Sequence, residues 1–174
     1  MTDSSWSAQR WSFVLAAAVF ASVWVAVAVA GPARIAGHID AAGEVTRWDS
    51  KWVVLAGLGA VGLLFVVIFG FSGPLLARLP ARAVNLPGRR RKEYWMRAAH
   101  RAEFNRLMAA DLELIGAATM LLLAWLLAAM TLFSASGEAS MNGWAFAVPL
   151  VVYVLALIGY TVYIAVGARY RVRE

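Results

Sequence analysis

Hydrophobic and polar positions divide the chain into four long apolar runs joined by polar segments. The runs are Ser12–Ala30, Trp52–Phe71, Leu112–Phe133 and Trp144–Gly167. At about 1.5 Å of rise per residue, about 20 apolar residues cross a hydrocarbon core, and each run reaches that length. The pattern predicts an all-α membrane domain over residues 1–174. It is a bundle of four transmembrane helices at 12–30, 52–71, 112–133 and 144–167, with an outer loop at 31–51 and a basic segment at 72–111. Trp11 marks the interfacial start of the first helix.

Two features of the runs bear on this reading. Arg10, the apolar stretch and Ala28-Val29-Ala30 also resemble a secretory signal with a small-residue cleavage site. The run is longer than a usual signal core, and Ala17 and Ala21 suit close helix packing, so a retained helix is expected. In the second run Ala56 and Ala60 sit four apart, near Gly57, Gly59 and Gly62, and predict a packing face. Ser72-Gly73-Pro74 ends that helix. The fourth run is interrupted by Pro149 and carries Tyr153, Tyr160 and Tyr163.

The basic segment has its own pattern. Pro80 and Pro87 break any helix starting at Leu75. From Lys92 onward, Tyr94, Trp95, Ala98, Ala99 and Ala102 share one helical face, with Arg97, His100 and Arg101 opposite. That predicts an amphipathic helix in the headgroup plane. Arg89, Arg90, Arg91 and Lys92 are its lipid-surface charges, and Tyr94 and Trp95 its anchors. Asp111 and Glu113 then stand where the third helix enters lipid. Beside Arg106 they are expected to stay hydrated rather than buried.

Composition narrows the class. The 174 residues are 62% hydrophobic and 15% charged, with no cysteine, whereas soluble domains average about 25% charged. Disulfides and thiolate chemistry are excluded. The net charge of +6 sits beside the apolar runs, so the partner it implies is the lipid bilayer rather than nucleic acid. Nine Lys/Arg lie in 75–109, three in the C-terminal tail and one in the N-terminus, against three in 31–52 and none in 134–144. By the positive-inside rule both termini and the basic segment face the cytoplasm.

The outer loop concentrates the chemistry. It holds His38, Asp40, Glu44 and Asp49 against Arg34, Arg47 and Lys51. His38, Asp40 and Glu44 are the candidate metal ligands by residue type, although no HExxH spacing supports them. The simpler reading is a salt-bridged cap over the bundle, with Gly37 and Gly43 as turn residues and Trp48 and Trp52 as interface anchors. GxSxG, P-loop and dinucleotide signatures are absent, so no catalytic residue and no cofactor is expected.

Pro32-x-Arg34-Ile35-x-x-His38, then Gly43, then Arg47-Trp48-x-Ser50-Lys51, resembles a motif of a bacterial membrane family. Asn85-Leu86-Pro87 followed by Glu93-Tyr94-Trp95 resembles the cytoplasmic NLP…YW segment of its stand-alone members. The family is a domain of unknown function that also forms the N-terminal part of the immunity protein against the sporulation-delaying toxin. The resemblance spans roughly residues 10–110. It departs at Gly31-Pro32, where the family has Leu-Pro, at Ala36 or Gly37, which replace a second proline, and at Arg89-Arg90-Arg91, which lengthen the second motif. The C-terminal immunity-type domain of the longer members is not evident.

The resemblance implies a multi-pass protein of the bacterial cytoplasmic membrane whose outer loop carries the function. The expected activity is non-enzymatic binding of an envelope ligand or peptide toxin by Arg34, His38, Trp48 and Lys51, with Pro32 and Gly43 shaping the loop. The alternatives are an accessory subunit bound to a membrane-protein partner, and a small metalloenzyme using His38, Asp40 and Glu44.

Overall fold

A computed structural model describes residues 7–40, 43–138, 140 and 142–172 of the chain. Helix α1 (Ala8–Ala30) leads into a hairpin of β1 (Arg34–Ile39) and β2 (Val45–Ser50), which opens directly into α2 (Lys51–Gly70). Next come a short α3 (Ser72–Arg78), a 3₁₀ turn at Ala81–Ala83 and a short α4 (Arg89–Trp95). The long α5 (Ala98–Ser136), α6 (Trp144–Val166) and a second 3₁₀ turn at Ala168–Tyr170 complete the chain. Among the described residues, α1, α2, α5 and α6 are long and apolar enough to cross a membrane. The hairpin lies at one end of the bundle, and the start of α1 and the turn at Ala168–Tyr170 lie at the other.

The core follows the heptad-like spacing of α1. Phe13, Ala16, Phe20 and Val27 pack with Leu55 of α2 and with Ala117, Met120, Leu123, Ala124 and Leu127 of α5. Small residues bring the helices together, but not at Ala56 and Ala60, which stay exposed. The close approach is one face round. A Cβ on Gly62 would lie 2.4 Å from Phe20 Cε1, and one on Gly116 would lie 2.7 Å from Phe69 Cβ. Ala17, Ala21, Ala56 and Ala60 instead border an apolar groove between α1 and α2.

Three expectations are corrected. The outer loop is largely β-hairpin, so the chain is mostly rather than wholly helical. Arg34 pairs with Ser50, Ala36 with Trp48 and Ile39 with Val45. Burial drives this: Ile35 and Ala36 are fully buried beneath the hairpin. Gly43 supplies the positive φ of 88° next to the tip. The register shifts on either side of His38 break the two-residue alternation that would mark a strand in the sequence.

The second correction concerns the third apolar run. It is the latter part of one 39-residue helix. At 1.5 Å per residue, α5 is about 58 Å long, well beyond the ~30 Å of a hydrocarbon core. The third concerns the amphipathic strip, which is not one helix. The chain breaks between α4 and α5, where Arg97 is extended. Trp95, expected at a lipid surface, is wholly buried with Val84, Leu86, Phe104 and Tyr170 in a second small core. Its indole N–H donates to the Tyr170 carbonyl at 2.9 Å. Tyr94 stacks on His100, with ring centroids 4.0 Å apart.

Helix α6 is the loosely attached element. None of its residues is buried. Its described side-chain hydrogen bonds to α5 lie in its middle and C-terminal parts, through Tyr153 and Tyr160.

Candidate functional site

A cavity of about 870 Å³ opens between the hairpin and the hairpin-end halves of α5 and α6. Ala36 to Asp40 of β1 and its turn form one wall. Leu126 and Met130 of α5 form the floor, and Asn142, Gly143, Trp144, Phe146, Ala147 and Leu150 form the other wall. The lining is mainly apolar, with His38, Asp40 and Asn142 as its polar side chains. The Ser134 hydroxyl accepts from the Ala36 N–H at 2.9 Å and so docks β1 on α5.

Of the four expected contact residues, the cavity gathers only His38. Its Nδ1 lies 2.6 Å from the Thr46 hydroxyl, which fixes the ring and leaves the other nitrogen for an occupant. Arg34 donates to the Trp48 carbonyl at 3.1 Å. Both residues belong to the hairpin, but neither lines the cavity. Lys51 is turned inward. Its ammonium donates to the Ala28 and Gly31 carbonyls at 2.9 and 3.3 Å and so caps the C-terminus of α1. Pro32 lies in the α1–β1 connection, and Gly43 in the tip.

The proposed metal trio is not assembled. Asp40 Oδ1 accepts from the Glu44 N–H at 2.9 Å, an Asx-type turn that shapes the tip. No group of three or more His, Asp or Glu suited to a metal ion occurs among the described residues. Arg47 pairs with Asp49 at 3.0 Å, as the cap reading requires.

At the opposite end the expectation for the acids is overturned. Asp111 and Glu113 are buried, at 1% and 5% exposure. Asp111 is saturated with donors: Tyr160 at 2.8 Å, Tyr170 at 2.5 Å, and the Arg169 guanidinium at 2.9 and 3.2 Å. Glu113 pairs with Arg10 at 3.4 Å. Burial first, and then the hydrogen bond to Asp111, push the Tyr170 phenol well above its ordinary value. The acids themselves were visible in the sequence, but their partners are distant in it: Tyr160, Arg169 and Tyr170 for Asp111, and Arg10 for Glu113.

The basic segment is partly spent on structure. Arg91 donates to the Ala165 carbonyl near the C-terminus of α6. Arg101 donates to the Leu76 and Leu79 carbonyls around the end of α3, at 3.0 and 2.9 Å. Arg89 pairs with Glu93, Lys92 donates to the Arg82 carbonyl, and Arg90 is exposed.

The chain matches no protein-family model, and no curated protein or solved structure is significantly similar to it.

Proposed function

We propose that this is a non-enzymatic multi-pass membrane protein that binds an amphipathic envelope ligand in the hairpin-end cavity. The observation that carries the reading is the cavity itself. It has an apolar floor, a few polar groups at one rim and a loosely held helix as one wall, the usual build of a site for a largely apolar ligand. The charge distribution supports a cytoplasmic location for both termini and residues 72–111, and an outer location for the hairpin. The exposed Arg78, Arg82, Arg90 and Arg97 then face the anionic inner leaflet, each contributing about 1 kcal/mol of attraction near the surface. An immunity- or sensor-like role fits an outward site of this kind. The accessory-subunit reading has less support, because the bare surface of α6 needs nothing but lipid to cover it.

The test uses the full chain in neutral-lipid nanodiscs and a solvatochromic amphiphile. Saturable binding is expected in the native protein. It should be lost in Ala147→Trp, which fills the cavity, at unchanged helicity and elution volume. Removing a single polar contact costs about 0.5–1.5 kcal/mol, so His38→Ala should weaken binding by up to about tenfold, while Trp48→Ala should not. Binding that ignores Ala147→Trp refutes the reading.

A further inference from the structure

We propose that the occupant of this cavity is a lipid-dissolved amphiphile that enters sideways from the bilayer, past the first turns of α6, which act as a gate hinged at Pro149. The inference rests on the reading just given. The route follows from which walls can move. The hairpin wall is fixed. Ile35 and Ala36 are fully buried, and the Ser134 hydroxyl that accepts from Ala36 donates to the Met130 carbonyl at 2.6 Å. The main-chain groups along this strand are already spent. Arg47 donates to the Gly37 carbonyl and Thr46 to the His38 carbonyl, while the Asp40 N–H and carbonyl bond to Glu44 and Gly43. The floor is fixed too, because Leu123, Ala124 and Leu127 hold α5 in the core. On the water side, a main-chain bridge joins Glu44 of the hairpin tip to Ser140 of the α5–α6 connection. It lies close in sequence to the rim residues Asp40 and Asn142.

The remaining wall is α6, and its attachment changes at Pro149. Toward the C-terminus, Tyr153 is bonded to Thr119 and Tyr160 to Asp111, both at 2.8 Å, and Ile164 packs against the second core. Among the described residues, Tyr153 is the first in α6 whose side chain bonds to another element. Pro149 lies between that anchor and the cavity wall. It has no N–H, so the Ala145 carbonyl lacks its helical donor and the ladder is weakest there. The turns before it put Trp144, Phe146 and Ala147 on the cavity. Val148, and just past the hinge Val151 and Val152, are exposed and apolar, a surface that suits lipid. Swinging these turns breaks no side-chain bond to another element and trades one apolar surrounding for another. Opening the hairpin would instead break main-chain bonds and uncover Ile35. An amphiphile already concentrated in the bilayer therefore meets its lowest barrier at α6.

Stopped-flow rates of the solvatochromic amphiphile, with the full chain in neutral-lipid nanodiscs, test this. Pro149→Ala gives the Ala145 carbonyl its donor back. Association and dissociation should then both slow by about threefold or more, the worth of one restored main-chain hydrogen bond, with little change in Kd. Pro149→Gly also restores the N–H but loosens the helix, so its rates should stay near native. The second arm locks the water side. Bridged residues of an antiparallel pair lie within disulfide reach, and the chain has no native cysteine. The disulfide of the double variant Glu44→Cys, Ser140→Cys should leave both rates as they are in its reduced form. Unchanged rates in Pro149→Ala overturn the gate, as does a change in Kd without a change in association rate. Slowing by the disulfide overturns sideways entry and makes the occupant water-borne. Equilibrium binding separates the two claims. Saturable binding that Ala147→Trp abolishes, with rates indifferent to position 149, leaves the site standing and removes the gate; binding that ignores Ala147→Trp removes the site.

Discussion

Asp111 shows how much one side chain can hold. An acid buried beside apolar helices is costly unless its charge is compensated. Here an arginine and two phenols compensate it, and they tie α6 and the C-terminal turn to α5. Asp111→Ala would leave Arg169 and two hydroxyls without their acceptor. Breaking a buried pair in this way costs about 3 kcal/mol or more, so the thermal midpoint in a fixed detergent should fall steeply. Asp111→Asn keeps the shape and part of the bonding and should fall less. Alkaline pH probes the same cluster from the Tyr170 side. Its folded-state pKa is raised, so its contribution is fully present below the ordinary tyrosine value of about 10 and fades as pH rises above it. Native protein should therefore lose stability above pH ~10 relative to Tyr170→Phe, which starts lower but lacks that titration. Parallel pH profiles of the two proteins would exclude the cluster as described.

At the scale of elements, glycines separate close helix packing from a merely crowded strand position. A Cβ at Gly116 would meet Phe69 Cβ at 2.7 Å, next to the α2 backbone, which cannot move without parting the helices. A Cβ at Gly37 would overlap the Asp49 carboxylate, but that group can rotate away at the loss of a partly exposed ion pair with Arg47. Gly116→Ala is thus expected to cost about 1–3 kcal/mol as overpacking, and Gly37→Ala about 1 kcal/mol or less. Gly57→Ala, which meets open space, serves as a neutral control. Thermal unfolding of the three variants in one detergent checks the order, and equal losses at 37 and 116 would refute it. These two positions also mark what the sequence could tell. The four apolar runs were legible because lipid demands long uncharged helices. The contacting face of α2 was not, because Ala56, Gly57, Gly59, Ala60 and Gly62 are all small and only their partners on α1, Phe20 and Trp24, decide among them. The strands were hidden by the charges of the loop and by the shifts around His38. His38, which lines the cavity, stood out as the lone imidazole of the polar stretch between the first two spans. Leu126, Met130 and Phe146 were not, since apolar residues in a span carry no mark of which cavity they will line.

At the scale of the whole molecule, the two ends differ in shape as well as in charge. The hairpin end is short and capped, with Ile35 inserted into the helical core. The other end is tall, because α5 outruns a hydrocarbon core by many residues and carries α3, α4 and the C-terminal turn on its projecting part. A bilayer must leave that projection in water, and the bases of 72–111 sit on it. Some of those bases are internal props, as Arg91 and Arg101 show, yet Arg78, Arg82, Arg90 and Arg97 remain exposed. That exposed charge is what the proposed cytoplasmic location of this end rests on. The chain has no native cysteine, so single-cysteine variants report position without background. Arg90→Cys and Glu44→Cys both replace exposed residues. In intact cells an impermeant maleimide should label the cysteine at position 44, and should reach the one at position 90 only after permeabilisation. The reverse pattern would place the hairpin cavity on the cytoplasmic side and remove the case for an envelope ligand. Labelling of both in intact cells would mean that the four helices do not alternate across the bilayer as their lengths and charges require.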